Sequence, residues 1–341
     1  MSDRATIQDV ANLAKVSKVT VSYVLNGQDA KARISSETKD RVLSAARELG
    51  YRRNAIARML VTRRSQTIAV VFQYAQYFSI WSSFTSDVMH GVCEASVAGG
   101  YDLMLHTRPS EGSVNEVDQL TDGRADGALV LRDSDDPLIN ELLSRDFPCV
   151  FFFTRSSVPG AAFVDSDNYA GGRMATKHLL DLGHERIGMV RGSAHSVSSN
   201  DRYNGYRDAL ESHGCSVDSR YVATIESPDQ SLDAFRAMMR LPDRPTALFA
   251  WSDDVAFKLM QCLREMGLDI PRDVSLVGFD SIEACNHTAP PLTSVKQPIF
   301  EMARDATRIL IAKINGEHPE RDQLIYPLTL DIRGSTAPPQ S

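Results

Sequence analysis

Residues 6 to 26, TIQDVANLAKVSKVTVSYVLN, constrain this chain more than any other stretch, because they read as two short helices joined by a tight turn. Ile7, Val10, Ala11 and Ala14 recur at helical spacing, and Thr6 stands at the N-cap position. Ala14-Lys15-Val16 breaks that pattern, and Ser17 caps a second helix that turns Val21, Val24 and Leu25 inward. Lys18, Val19, Thr20, Ser22 and Tyr23 are left at its start or on its outward face. In a helix–turn–helix the N-terminal end of the second helix meets base edges in the major groove. Helical spacing alone also fits an ordinary amphipathic pair, so the rest of the chain must decide.

Charge divides along the chain. Residues 1–64 carry 13 Lys/Arg against 6 Asp/Glu, a net +7; the remainder carries 24 against 38, a net −14. A basic module on an acidic body is what binding a phosphate backbone by one end requires. The 341 residues suffice for two or three domains with buried cores. No apolar run reaches the roughly 18 residues of a membrane span. The start, MSDRATIQDV, lacks the apolar core of a secretory signal, which points to the cytosol. Cys93, Cys149, Cys215, Cys262 and Cys285 are scattered without metal spacing, as reduced buried thiols would be.

Residues 34–50 predict a third helix, capped by Ser35 or Ser36, burying Val42, Leu43, Ala46 and Leu49 and stopped by Gly50. Residues 54–61 form a short helical piece with Asn54 as its cap, too short to be stable alone. From residue 66 the pattern becomes alternating strands and helices. QTIAVVF, YDLMLHT, ADGALVL, PCVFFF, RIGMVRG, TALFAW and VSLVGFD are short apolar runs separated by helix-length segments. Such runs read as parallel strands buried on both faces.

The segment TIQDVANLAKVSKVTVSYVLNG resembles the N-terminus of the lactose-repressor-type (LacI/GalR) transcription regulators. The likeness continues through ISSETKDRVLSAARELGY, NAIARML, GGRMATKHLLDLGHERI, DRYNGY, VGFD and PPLTSV, in the family's order and over nearly the whole chain. It implies an all-α helix–turn–helix domain joined to an α/β core of two lobes with parallel sheets, similar to periplasmic sugar-binding proteins. The expected divisions are a DNA-binding domain over 1–53, a hinge helix and linker over 54–65, and a core over 66–335. Lobe one takes about 66–165 and 296–326, lobe two about 166–292 and 327–335, and TAPPQS at 336–341 reads as a disordered tail.

The resemblance also implies roles. The partners would be a near-palindromic DNA operator and a second copy of the chain, with a tetramer as a further assembly. Lys18 and Tyr23 would meet base edges and Val19 a thymine methyl, while Thr6, Ser17, Thr20, Ser22 and Asn26 would hold phosphates. Asn54, Arg58 and Leu60 belong to the hinge helix, with Leu60 wedged into the minor groove. Val61 departs from the basic residue several relatives carry there. In the cleft, Arg202 and Asp280 match residues that hold the effector, and Asn168, Ser252 and Asp253 match further cleft positions. A sugar is the family's usual effector and a nucleobase or nucleoside the alternative.

Two departures bear on that effector. QYAQYFSIWSSF, residues 73–84, replaces a compact proline-containing loop. Its Tyr74 and Trp81 would form a flat wall for a sugar ring, or else fill the lobe core or the dimer face. Near Glu226 several relatives carry a stacking aromatic that this chain lacks. Enzyme chemistry has no support: GxSxG, Walker-type and HExxH patterns are missing, so neither catalytic residue nor cofactor nor metal is expected. The rival class is a cytosolic sugar- or nucleobase-binding protein without a DNA role, against which the basic N-terminal module speaks.

Overall fold

The computed structural model describes residues 5–25, 27, 32–51, 59, 62, 64–72, 83–107, 115–156, 158–226 and 230–340. The chain divides after Ser65 into two compact units.

The first unit holds three helices, α1 (Ile7–Ala14), α2 (Lys18–Leu25) and α3 (Ser36–Glu48). Thr6 and Asp9 form a reciprocal capping box on α1, and Lys15 ends it in the left-handed region at φ 53°. That turn aims the chain so that Ser17 Oγ accepts from the Thr20 N–H, 3.0 Å, at the start of α2. Val10, Ala11, Ala14, Val21, Val24, Leu25, Val42, Ala45 and Ala46 make one small core. Leu49, expected inside, is 36% exposed, and Ala45 takes its place. Leu49 keeps the phase of 42, 45 and 46 but is the C-cap, past the last helical residue Glu48, where the buried face ends.

The second unit contains two six-stranded sheets. The first is built from β1 (Thr67–Phe72), β2 (Asp102–His106), β3 (Gly127–Leu131), β4 (Cys149–Phe152), β5 (Phe163–Ser166) and β11 (Gln323–Tyr326). The second is built from β6 (Ile187–Arg191), β7 (Val222–Thr224), β8 (Ala247–Ala250), β9 (Ser275–Asp280), β10 (Thr293–Lys296) and β12 (Thr329–Asp331). Their orders are β11-β5-β4-β3-β1-β2 and β12-β10-β9-β8-β6-β7, parallel throughout except where β12 runs against β10. The helices between them are α4 (Ser83–Gly99), α5 (Glu116–Leu120), α6 (Pro137–Ser144), α7 (Asn168–Asp181), α8 (Val197–Ser212), α9 (Asp233–Met239), α10 (Asp253–Glu265) and α11 (Ile299–Ile314). Helices covering both faces explain why every residue of β4, β5, β8 and β9 is buried.

The chain passes between the sheets three times, after β5, after β10 and after β11. The second crossing lies later than the sequence reading put it, because Thr293–Lys296 still pairs with β9. Glycines set two close helix contacts. A Cβ on Gly91 of α4 would run into the Phe300 carbonyl of α11, and one on Gly172 of α7 into the Arg202 carbonyl of α8. The expected disordered tail is also corrected over the residues described. Ala337 donates its N–H to Ser275 Oγ (3.0 Å) and accepts from His184 Nε2 (2.9 Å), and Thr336 Oγ1 meets His178 Nε2 at 3.0 Å. Buried polar groups on the second lobe need these partners, and they hold the segment down.

Candidate functional site

In the first unit the exposed face of α2 is the chemically distinctive surface. Val19 is 61% and Tyr23 39% exposed, with Lys18 beside them at the helix start. The buried side of the same helix is wholly apolar, so burial of Val21, Val24 and Leu25 fixes which residues face out. Thr6 and Ser17 are exposed and cap their helices, and Thr20 and Ser22 are half-buried. Asn26, Asn54, Arg58 and Leu60 lie outside the described residues.

In the second unit the polar side chains gather where the strands of both sheets end. Arg202, on α8, is 4% exposed. Its Nε donates to Asn168 Oδ1 (2.8 Å), its Nη1 to the Trp251 carbonyl, and its guanidinium lies 3.6 Å from the centre of the Phe279 ring. Burial pulls this guanidinium down to about 10, while Asp280, Asp165 and Asp253 pull the other way. Asn168 in turn donates to Asp165 Oδ1 (2.9 Å) and to the Ser166 carbonyl (3.1 Å).

Asp280 closes β9 at φ 114°, a conformation non-glycine residues rarely adopt, and is 6% exposed. Burial pushes its carboxyl well above the ordinary range, with Arg202 opposing. Gln297 Nε2 donates to Asp280 Oδ1 (2.6 Å), while Gln297 Oε1 accepts from Ser166 Oγ (2.5 Å). One side chain therefore ties the end of the first sheet to the end of the second.

Further contacts join the lobes across the opening. Ser198 Oγ donates to the Phe153 carbonyl at 2.9 Å, and His195 Nδ1 meets Asp135 Oδ2 at 2.6 Å. Arg155, from the loop after β4, pairs with buried Asp165 at 3.2 Å and with Asp201 of α8.

Thr154 Oγ1 after β4, Arg191 Nε at the end of β6, Ser199 Oγ in the first turn of α8 and Trp251 Nε1 after β8 are buried and meet no hydrogen-bond partner among the described residues. Native proteins leave few such atoms, and in open α/β sheets the strand ends are where a ligand supplies partners.

The sequence-derived residues separate here. Arg202, Asn168 and Asp280 come together. Asp253 does not join them: it is fully buried, with Oδ1 taken by Ser294 Oγ (2.6 Å) and Oδ2 by the Ile282 N–H (3.0 Å) and Cys285 Sγ (3.1 Å). Its carboxylate holds the turn after β9. Ser252 is the N-cap of α10. Tyr74 and Trp81 lie outside the described residues. Phe84, from the same aromatic stretch, packs on Phe153 in a tilted arrangement with ring centres 5.1 Å apart.

Sequence reasoning missed Trp251, Gln297, Arg191 and Asp165. Trp251 ends the run TALFAW, and its position alone could have marked it. Asp165 sits in a four-residue strand ending Asp-Ser, which no periodicity reveals.

Comparison with known proteins matches residues 6–54 to a model described as bacterial regulatory proteins, lacI family, and residues 176–336 to a periplasmic binding protein-like domain. The HTH-type transcriptional regulator CelR of Thermobifida fusca is 36% identical over 338 residues, 97% of this chain and 98% of that one. The chain belongs to the lacI family of bacterial regulatory proteins. Another member, the HTH-type transcriptional repressor PurR of Photobacterium profundum, is 31% identical over 93% of this chain and 94% of its own. Among solved members, a transcriptional regulator CelR–cellobiose complex superposes with a TM-score of 0.72 at 34% identity, over 97% of this chain and all of that one. The lac repressor dimer bound to operator and the anti-inducer ONPF shares the fold, with a TM-score of 0.81 at 24% identity over 98% of this chain and 100% of its own. These lacI-family relatives are transcriptional regulators and not enzymes. Among the described residues no helix is long and apolar enough to cross a membrane.

Proposed function

We propose that this chain is a cytoplasmic, homodimeric repressor that binds a near-palindromic operator and is switched by a sugar held between its two lobes. The observation that carries the effector half is the buried, unpartnered set Thr154 Oγ1, Arg191 Nε, Ser199 Oγ and Trp251 Nε1 beside Arg202 and Asp280. A polyhydroxyl ring supplies both donors and acceptors to such a set, and leaving it unpaired costs free energy. The CelR relative, solved with cellobiose, supports a sugar and suggests the first one to try. The basic first 64 residues and the exposed face of α2 support the DNA half.

On operator DNA, Lys18 and Tyr23 would read base edges, with Val19 against a thymine methyl. Thr6, Ser17, Thr20, Ser22 and Asn26 would set register on phosphates. Asn54, Arg58 and Leu60 would form the hinge helix, Leu60 entering the minor groove. Two copies read two half-sites, so the operator mirrors the two-fold axis of the dimer. The sugar acts only through unequal affinity for two lobe arrangements, and a coupling of about 1–3 kcal/mol changes operator affinity roughly 5–150-fold.

The test begins by selecting sequences from a random duplex pool with the full chain. Operator affinity is then measured with and without cellobiose across about 50–200 mM salt, where phosphate contacts dominate the slope. We expect a palindromic consensus, steep salt dependence and a shift on adding the sugar. A pool that returns no consensus overturns the DNA reading. Affinity that no mono- or disaccharide changes overturns the sugar.

A further inference from the structure

We infer that Trp251 is the aromatic platform of the ligand site and that its indole N–H is a donor that selects the ligand. This rests on the reading of the interlobe cleft as the effector site. Trp251 directly follows β8, a central strand of the second sheet, so its ring stands at the strand ends beside Arg202. Three features hold it there. Its backbone N–H and carbonyl are fixed to neighbouring elements, the former to the Val190 carbonyl at 2.9 Å and the latter to Arg202 Nη1. The Arg202 guanidinium lies 5.5 Å from the ring centre. Gly192, just beyond β6, lets the indole lie flush on bare backbone, for a Cβ there would stand 2.8 to 3.0 Å from Cδ2, Cε2 and Cε3 of the ring.

The ring packs against two buried apolar clusters, as core aromatics do, and a core aromatic ordinarily pairs its one polar atom. Instead Nε1 is buried and meets no acceptor among the described residues, while the residue as a whole stays partly exposed. Arg191 Nε and Ser199 Oγ, at the end of β6 and the first turn of α8, share that condition. Apolar ring face, indole donor and further polar atoms together fit a pyranose. Its C–H face stacks on the ring while a rim oxygen accepts from Nε1. Nε1 donates and never accepts, so it discriminates between ligands that place an oxygen there and ligands that place a C–H or N–H.

The test is calorimetric titration of the purified full chain and its Trp251→Phe, Trp251→Ala and Asp280→Asn variants with cellobiose, glucose, ribose and hypoxanthine. Thermal unfolding of each variant confirms that it is folded. We expect wild type to bind at least one sugar and Trp251→Ala to weaken that sugar by about tenfold or more through lost stacking. Trp251→Phe, which keeps a ring but removes the N–H, should fall about three- to tenfold. Full affinity in Trp251→Ala, with binding lost in Asp280→Asn, overturns the platform and leaves the cleft reading intact. Trp251→Phe equal to wild type removes the donor role. A wild-type chain that binds none of the sugars overturns both this inference and the sugar effector.

Discussion

Arg202 holds its guanidinium 3.6 Å from the centre of the Phe279 ring, and this contact joins α8 to β9 at the point where the second sheet opens. The same cation reaches Asn168 at the start of α7 and the Trp251 carbonyl after β8, so four elements share one side chain. The charges of Asp280, Asp165 and, from further off, Asp253 oppose the desolvation of this deeply buried cation, and an aromatic face lies beneath it.

Arg202→Ala should therefore destabilise the core by about 3–5 kcal/mol, since it leaves buried carboxylates without their counter-charge. Arg202→Lys should recover only part of this, because an ammonium cannot make the planar fork or the stack. Urea unfolding of the full chain measures both. A loss below about 1 kcal/mol for the alanine variant would mean the cation does not hold the cleft.

Asp253 presents the opposite case. Three donors converge on its carboxylate, and Gly278 is bare because a Cβ there would strike Oδ1. Asp253→Ala leaves the Ser294 hydroxyl and the Ile282 N–H without an acceptor and should cost about 2–4 kcal/mol. Thermal unfolding reads this, and an unchanged midpoint would return Asp253 to the ligand side.

His184 gives a pH signature. Its Nε2 must carry the proton donated to the Ala337 carbonyl, so Nδ1 accepts from Thr246 Oγ1 at 2.9 Å. Burial lowers the pKa of the ring from its ordinary 6.5. The folded state thus prefers the neutral ring, and the stability His184 contributes is whole above that value and lost as pH falls below it. His184→Gln does not titrate, so the melting-temperature gap between wild type and variant should narrow from about pH 7.5 to about pH 5. A gap constant over that range would show that the ring is not held neutral.

Lys18 stands exposed at the start of α2. Lys18→Ala should relax base preference at one position of each half-site, by about 1–3 kcal/mol of discrimination, in a selection from random duplexes. A uniform loss over all sequences, with a shallower salt slope, would reassign it to a phosphate.

The helix–turn–helix was legible because its signals are local. Thr6, Ser17 and the spacing of Val10, Ala14, Val21 and Leu25 act within a few residues of one another, and the structure has these caps and this core. The long strands were legible for a similar reason: runs such as VSLVGFD are apolar throughout. Short strands such as β5 and β7 were not, since three or four residues carry no usable period. The last residues were misread because Pro-Pro-Gln suggests a loose end, whereas the groups that hold Thr336 and Ala337 lie on α7, on β9 and in the loop before β6, far away in the chain.

By itself the sequence determined the order of helices and strands, the basic and acidic halves and the outward face of α2. Each of these follows from residues close together in the chain. The tertiary structure alone decided which partners each of two strand-end aspartates has. Asp253 and Asp280 carry the same chemistry, yet Ser294 and Cys285, 41 and 32 residues away, take up the first, while Gln297 and Arg202 hold the second in the cleft. A carboxylate's role is set by the donors and the solvent that reach it, and folding brings those from distant parts of the chain.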